Sequence, residues 1–404
     1  MSGFGSARLV GWGANLAPLV RPLARRPVAA QLNSLKENHP SQPGTLPSIA
    51  ELVPQSPWLE PVVNDGSSPD AHIKLPTALE ALATLPGLEK DIEITAIAAG
   101  HMFSMVGIRS PSSNRHYLAG FGVNSAGQLG TCEPSRGHFG FHLFQSSHPV
   151  LGLSCGRQHT LALFGADSSS TEPELLMSCG DDQQGQSALP TSSPDESESY
   201  SLSGFRPTQI TPPSDESEPI HIKSVGAGLD HSVLMSHGQV GQGSAFKSHC
   251  LTARRIPGIA DISFRKISTK SDFTWALDHT GQVYFWGNSE YGQSMLGHKT
   301  DRILEAVRVP LDFAVKDVAA GGTHSLLLSA HEDPVAKNQR ARDPGLRWIR
   351  LLCVHNCVFG RLGHDLTGGL SHVVTPRRVT MPSGSKGRTL TVACGTHHIL
   401  ALVQ

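Results

Sequence analysis

The stretch VKDVAAGGTHSLLL (residues 315–328) decides the fold, because its pattern occurs six times along the 404-residue chain. The pattern is a β-rich run, a small residue, a glycine anchor, two variable residues, a His or Phe and an apolar strand. The other copies are ITAIAAGHMFSMV (94–106), LGLSCGRQHTLAL (151–163), IKSVGAGLDHSVLM (222–235), FRKISTKSDFTWAL (264–277) and LTVACGTHHILAL (390–402). The anchor positions are Gly100, Gly156, Gly228, Lys270, Gly321 and Gly395. Repetition at intervals of about fifty residues is typical of repeat architectures.

A second half-repeat follows several anchors. It is a short strand that ends in glycine and is followed by a polar turn, usually with a Gly-Gln pair. The copies are LAGFGVNSAGQLG (118–130), LMSCGDDQQGQSAL (176–189) and VYFWGNSEYGQSML (283–296), and RLVGWGANLAPL (8–19) is in the same register. Glycine supplies the positive φ angles that such tight turns need.

Each unit therefore contains about four short strands and shows no helical periodicity. One sheet of this size cannot bury its own faces, and several packed in a ring can. We predict an all-β protein that forms a closed β-propeller. The last unit (390–404) has only a first half and segment 8–19 only a second half, so the N-terminal strand is expected to complete the last blade.

These motifs closely resemble the regulator of chromosome condensation repeat, which forms the propeller of the exchange factor for the Ran GTPase. WGNSEY (286–291), SCGRQHTLAL (154–163) and the ending RRVTMP…VACGTHHILAL (377–402) resemble its mitochondrial G-exchanging-factor-like branch. The resemblance implies seven blades, whereas the sequence shows six anchors. We expect either that one or more blades are degenerate or that the sequence lacks segments that a full family member has. Residues 236–250 lack the aromatic-glycine strand, and in 331–363 only VFGRLG (358–363) is similar to the motif.

We predict that the whole chain is one propeller domain with three departures from the repeat. These are a divergent or inserted region (20–93), a mobile acidic loop (190–219) and a basic insert (331–350). The first is Pro-rich and has one short helical patch, TALEALATL (77–85).

The composition excludes several classes of protein. Lys and Arg number 33, Asp and Glu 34, and charged residues make up 17% of the chain, which argues against a globally basic nucleic-acid binder and against an acidic disordered protein. Charge is nevertheless uneven: residues 165–220 hold eleven acids and only Arg206 as a base, and residues 335–388 hold ten Lys and Arg against two Asp. Seven cysteines fit a reducing compartment, and no apolar run is long enough for a membrane span.

The motifs that suggest chemistry are better explained by packing. Ser154 lies in a Gly-x-Ser-x-Gly pattern, but small residues fill its slot in every copy. His159, His231, His324 and His398 share a slot with Phe103 and Phe273, so we expect a flat, partly buried ring there. Cys353 and Cys357 bracket His355 without a second cysteine pair. No phosphate-cradling loop appears in the sequence, and we predict no catalytic, cofactor-binding or metal-ligating residue.

The resemblance implies a non-enzymatic scaffold that acts as guanine-nucleotide exchange factor or adaptor for a GTPase. The mitochondrial branch implies a dynamin-like GTPase of mitochondrial fusion as partner. One alternative is binding to mitochondrial large-subunit ribosomal RNA or a role in ribosome assembly, with candidate phosphate contacts at Arg377, Arg378, Lys386 and Arg388. A second is a general protein-interaction propeller of the cytosol or nucleus.

A mitochondrial location is the expectation from the branch. Residues 1–36 contain five Lys and Arg and no acid, a composition typical of transit peptides. The same segment holds RLVGWGAN (8–15), which is also the expected closing strand, so import through an uncleaved or incomplete signal is predicted. Cytoplasm or nucleus is the alternative.

Overall fold

A computed structural model describes residues 8–13, 73–78, 88, 91–130, 135–165, 175–183, 185–188, 204–208, 221–236, 239–243, 254–256, 259, 261–330, 351–354, 377–379 and 389–403. Across these ranges the regular secondary structure is β-strand throughout, as the repeat pattern predicts. None of the described residues belongs to a helix that is long and apolar enough to cross a membrane.

The strands are short and follow the repeat. The first twelve are β1 (Arg8–Gly13), β2 (Ile73–Ala78), β3 (Glu93–Ala99), β4 (Phe103–Ser110), β5 (Arg115–Asn124), β6 (Ser135–Ser146), β7 (Val150–Cys155), β8 (His159–Phe164), β9 (Leu175–Gly180), β10 (Arg206–Pro207), β11 (Ile222–Ala227) and β12 (Ser232–Ser236). The others are β13 (Gln239–Gly243), β14 (Arg254–Arg255), β15 (Phe264–Lys270), β16 (Phe273–Asp278), β17 (Val283–Ser289), β18 (Thr300–Arg308), β19 (Val315–Ala320), β20 (Ser325–Ser329), β21 (Leu351–Val354), β22 (Arg377–Arg378), β23 (Thr389–Cys394) and β24 (His398–Val403).

The described strands form six antiparallel sheets of four strands, one for each anchor. Five of them are built from strands that are consecutive in sequence: sheet I (β3–β6), sheet II (β7–β10), sheet III (β11–β14), sheet IV (β15–β18) and sheet V (β19–β22). Sheet VI has the order β2-β1-β24-β23. The blade count of seven stays a prediction.

Sheet VI joins both ends of the chain. β1 pairs with β24 from Arg8↔Val403 to Gly13↔His398, as predicted for the N-terminal strand. β2 pairs with the other edge of β1, so the region 20–93 supplies the outermost strand of this sheet. The predicted helical patch is therefore wrong at Thr77 and Ala78, which lie in β2, and its remainder (79–85) lies outside the described residues.

Each sheet buries its apolar residues against the next one. Shared clusters join sheet I to II, II to III, III to IV, IV to V and VI to I. The inner strands of sheets V and VI, β19 and β23, are also in contact. Because a four-stranded sheet cannot bury both faces alone, this mutual packing is what stabilises the fold.

Two stretches that match the repeat poorly still form strands. β13 pairs with β12 at five positions without the aromatic residue of other copies. β21 forms in sheet V at Leu351–Val354, whereas VFGRLG (358–363) lies outside the described residues. Backbone pairing thus continues where the sequence signature has been lost.

The predicted acidic loop is interrupted by a strand. β10 pairs with β9 within the range 190–219, and Phe205 beside it is buried, with its ring against Gly130. The loop prediction is therefore wrong for residues 204–208, because this aromatic side chain completes the core of sheet II. The remainder of 190–219, and the predicted insert 331–350, lie outside the described residues.

Candidate partner-binding face

Each anchor glycine is covered by the ring three residues later. A Cβ at Gly156 would lie 2.2 Å from Cε1 of His159, and one at Gly100 would lie 2.3 Å from Cε1 of Phe103. Gly228, Gly321 and Gly395 have the same relation to His231, His324 and His398. None of these anchors is among the glycines of positive φ, so the glycine is required by close approach rather than by backbone conformation.

The glycines at the ends of the third strands have the other role. Gly122, Gly180 and Gly287 have φ between 99° and 115°, as predicted for the half-repeat. The residue after each of these glycines donates its backbone N–H to the main-chain carbonyl of the second residue after the anchor. Asp181 N, for example, donates to Gln158 O at 2.8 Å. Two loops are thereby joined at one end of each of sheets I, II and IV.

The Gly-Gln pairs of the half-repeats connect one sheet to the next. The hydroxyl that follows the ring residue donates to the main-chain carbonyl of the Gln: Thr160 to Gln128 at 2.7 Å, Ser232 to Gln186 at 2.6 Å and Ser325 to Gln293 at 3.0 Å. The Gln128 side chain also accepts a hydrogen bond from Ala126 N, which closes its own turn. The sequence motif identifies the Gln, whereas the sheet that donates to its carbonyl could not be predicted from the motif.

Main-chain hydrogen bonds also link the anchor loops of neighbouring sheets. His101 N donates to Gly156 O at 3.1 Å, and Arg157 N donates to Gly228 O at 3.2 Å. The same relation joins Leu229 to Ser271, Gly322 to Gly395 and Thr396 to Gly100. In sheets IV and V, Ser268 Oγ accepts from Ala320 N at 2.9 Å.

The histidine slot is structural. Nε2 of His398 lies 2.7 Å from Ser104 Oγ, and Nε2 of His231 lies 3.1 Å from Thr269 Oγ1, each on the next sheet. Burial lowers the pKa of His159 and His398 to about 3 and that of His231 to about 4, so all three are neutral at pH 7. Among the described residues, no group of His, Cys, Asp and Glu has a metal-binding arrangement.

Ser154 and the described cysteines are also packing residues. Ser154 Oγ accepts a hydrogen bond from Ala227 N at 2.8 Å, at the end of a strand that leads into a hairpin rather than a helix. Cys155, Cys179 and Cys394 are free and buried. Burial raises the pKa of the Cys155 thiol to about 12, which removes its reactivity as a thiolate.

The variable residues lie together on what we call the anchor face. It comprises the two residues after each anchor (101–102, 157–158, 229–230, 271–272, 322–323, 396–397) and the turns after the third strands of sheets I, II and IV (124–130, 181–183 with 185–188, and 288–297). Antiparallel connection brings both sets to the same end of these three sheets. Met102 and Tyr291, two of the exposed large apolar side chains, belong to this face.

A groove of about 900 Å³ opens on the anchor face where sheets I, II and III meet. Its lining residues are Ser125, Ala126, Arg157, Gln158, Gly180, Asp181, Asp182, Gln183 and Asp230. Three carboxylates and one guanidinium thus line it, and Asp272 and Glu290 add exposed acids elsewhere on the face. Such a surface suits a partner that presents basic side chains.

Of the four predicted RNA contacts, the two that the structure describes are not on this face. Arg377 and Arg378 form β22, the outer strand of sheet V, where they pair with Cys353 and Leu352. Lys386 and Arg388 lie outside the described residues. Whether these residues contact RNA stays a prediction.

A family model described as the regulator of chromosome condensation (RCC1) repeat matches residues 280–328. This stretch of the chain is therefore an RCC1-type repeat. The matched RCC1 repeat runs from the third strand of sheet IV to the second strand of sheet V, so the sequence repeat and the sheet are out of phase by two strands.

Relatives with RCC1-type names match much of the chain at low identity. The human RCC1-like G exchanging factor-like protein is 26% identical over 394 residues, covering 78% of this chain and 77% of its own. The mouse protein of that name is 28% identical over 282 residues. Human HERC6, a probable E3 ubiquitin-protein ligase, is 24% identical over 301 residues. The match spans only 27% of HERC6 and 54% of the mouse protein.

Solved structures share the RCC1 propeller fold. Human WBSCR16 superposes with a TM-score of 0.55 and 21% identity, covering 99% of both chains. Prp20p from Saccharomyces cerevisiae superposes with a TM-score of 0.54 and 14% identity, covering 99% of this chain and 92% of its own. At these identities the likeness establishes the fold alone.

Proposed function

We propose that this RCC1-repeat protein is a non-catalytic propeller that binds a GTPase through its anchor face and acts as an exchange factor or adaptor. The groove at Arg157, Asp181 and Asp230 carries the proposal, because it is a concave, charged site built from the variable residues of the repeat. The names of the RCC1-like G exchanging factor-like relatives support it. So does the reported binding of Prp20p to Gsp1p and histones.

The proposal includes a closed ring. Thr396 N of sheet VI donates to Gly100 O of sheet I at 2.9 Å, and the two sheets share a core that includes Leu400 and Val106. These contacts support closure through the sheet that joins β1 and β24. A closed ring would hold all six anchor loops on one rigid face, which a partner that binds across several loops needs.

The favoured partner is a dynamin-like GTPase of mitochondrial fusion, and the favoured location is mitochondrial. Both rest on the resemblance to the G-exchanging-factor-like branch. Imaging of a C-terminally tagged chain tests the location: overlap with a mitochondrial marker is expected, and a diffuse cytosolic or nuclear signal would contradict it.

The binding test uses purified chain and purified GTPases loaded with fluorescent GDP, one dynamin-like and one Ran-type. Binding should be measured by biolayer interferometry and GDP release by fluorescence. Asp230→Lys should weaken binding at least tenfold by placing a positive charge in the groove. Asp301→Lys, an equal charge change on the outer strand β18, is the matched control and should leave binding unchanged.

The two assays separate the two roles. Accelerated GDP release indicates an exchange factor, whereas binding without release indicates an adaptor. Absence of binding to either GTPase, or equal loss in the Asp230→Lys and Asp301→Lys variants, would contradict the proposal.

Ribosomal-RNA binding is the second candidate, since Arg377 and Arg378 are adjacent on an outer strand, away from the acidic groove. Contacts to phosphates would make RNA affinity fall steeply with salt. An affinity that does not change between low and physiological salt would remove this candidate.

A further inference from the structure

Lys270 occupies the slot that is glycine in the other five anchors. It ends β15 in sheet IV and is 4% exposed. Its Nζ donates to the main-chain carbonyl of Cys155, at the end of β7 in sheet II. Sheet III packs between sheets II and IV, so the side chain reaches a sheet that is not the direct neighbour of its own.

The amine is close to titratable groups from several sheets. The groups that act on its charge, within the described part of the chain, are the thiols of Cys155 and Cys394. In turn its charge contributes to lowering the pKa of three histidines on sheets I, II and VI: His101, His159 and His398. A single side chain of sheet IV thus faces sheets I, II and VI, so its amine lies among the ends of several sheets.

The Cys155 carbonyl lies at the strand end that leads into the groove. The next residue, Gly156, accepts a hydrogen bond from His101 N, and Arg157 N donates to Gly228 O. Arg157 and Gln158 then line the groove itself. Lys270 therefore contacts the strand end that carries two groove residues, and it does so from sheet IV.

We propose that Lys270 is a positioning residue for the groove, and that its protonated amine fixes segment 155–158 while loss of the proton loosens it. The inference rests on the proposed function only in treating the groove as the docking site. The ammonium makes a charge-assisted bond to the carbonyl, which a neutral amine makes only weakly. Burial lowers the pKa of Lys270 to about 8, so the change falls between pH 7 and pH 9.5.

The test is amide hydrogen exchange of the full chain, corrected for the intrinsic rate at each pH. Protection of Arg157 and His101 in the wild type should fall about tenfold between pH 7 and pH 9.5, the effect expected for a charge-assisted hydrogen bond. The amide of Gly322, which donates to Gly395 O between sheets V and VI, is the internal reference and should not change.

Three variants make the assignment specific. Lys270→Met should show low protection of Arg157 at both pH values. Lys270→Arg keeps its charge in this range, so the pH dependence should disappear. Lys299→Met removes an exposed lysine near the start of β18 and should behave as the wild type.

Equal protection of Arg157 in wild type and Lys270→Met at pH 7 would overturn the proposal. Amide protection of Arg157 in the wild type that does not change while NMR shows Lys270 losing its proton would also overturn it. This measurement does not require any variant to fold. No partner takes part in these measurements, so failure of the GTPase experiment leaves their outcome unaffected.

Discussion

Substitution of Gly156 by alanine adds a single Cβ atom and tests whether the close packing of the His159 ring on this glycine requires the absence of a side chain. The added Cβ would lie 2.2 Å from Cε1 of His159 and 2.6 Å from Gly228 O, which is main chain of the next sheet. Gly152→Ala, in the strand that ends just before Gly156, is the matched control, since its Cβ would meet nothing nearer than Leu163 Cβ at 3.7 Å.

The expected magnitude follows from these contacts. Insertion of a methyl group into a packed site costs about 1–3 kcal/mol. Movement of His159 and of the next sheet also weakens two hydrogen bonds, Arg157 N to Gly228 O and His159 to Ser232, each contributing about 1 kcal/mol. We expect Gly156→Ala to lower the free energy of unfolding by about 2–4 kcal/mol. Gly152→Ala should be neutral or stabilising by up to about 1 kcal/mol.

Urea unfolding followed by tryptophan fluorescence measures the difference. With a denaturant slope of about 3 kcal/mol per molar, the midpoint of Gly156→Ala should fall by roughly 1 M. If the two variants have the same midpoint within error, the anchor tolerates a side chain and the close-approach explanation fails.

Three further predictions concern charge and closure. Stability should decrease as pH falls below 6.5, because burial depresses the folded-state pKa of His159, His231 and His398. At pH 5.5 each is expected to lower the free energy of unfolding by on the order of 1 kcal/mol. An unfolding free energy that does not change from pH 7 to 5.5 would contradict this. Asp317→Ala should lower the free energy of unfolding by about 3 kcal/mol in the same urea assay. The reason is that this carboxylate of sheet V accepts hydrogen bonds from Lys266 of sheet IV and from Thr391 Oγ1 of sheet VI, the latter at 2.6 Å. Asp301→Ala, on the outer strand β18, is the control and should have little effect. Deletion of residues 1–15 removes β1 from between β2 and β24 and exposes the edge of β24. We expect this exposed sheet edge to cause aggregation, measured by light scattering. Unchanged solubility and melting temperature would refute the role of this strand.

Much of the fold was predictable because it depends on local periodicity. Gly-x-x-His spacing places a ring over its own glycine within one hairpin, and six anchors correspond to six described sheets. β13 could not be predicted from the motif, because backbone pairing does not require the aromatic residue of the other copies. β10 could not be predicted either, because the core in which Phe205 is buried is formed only in the folded structure. Lys270 appeared as a simple departure from the repeat. Its contact with Cys155 joins residues 115 positions apart, which no local pattern encodes.

The pairing of β1 with β24 also sets an order of events during synthesis. The first strand leaves the ribosome long before its partner, since nearly the whole chain separates Arg8 from Val403. At typical elongation rates of 5–20 residues per second, this interval is roughly 20–80 s. Throughout it, the first strand has no partner from β24, and β23 and β24 must leave the ribosome before sheet VI can form. A nascent chain of this protein therefore presents an unsatisfied strand edge to chaperones until β24 has been synthesised.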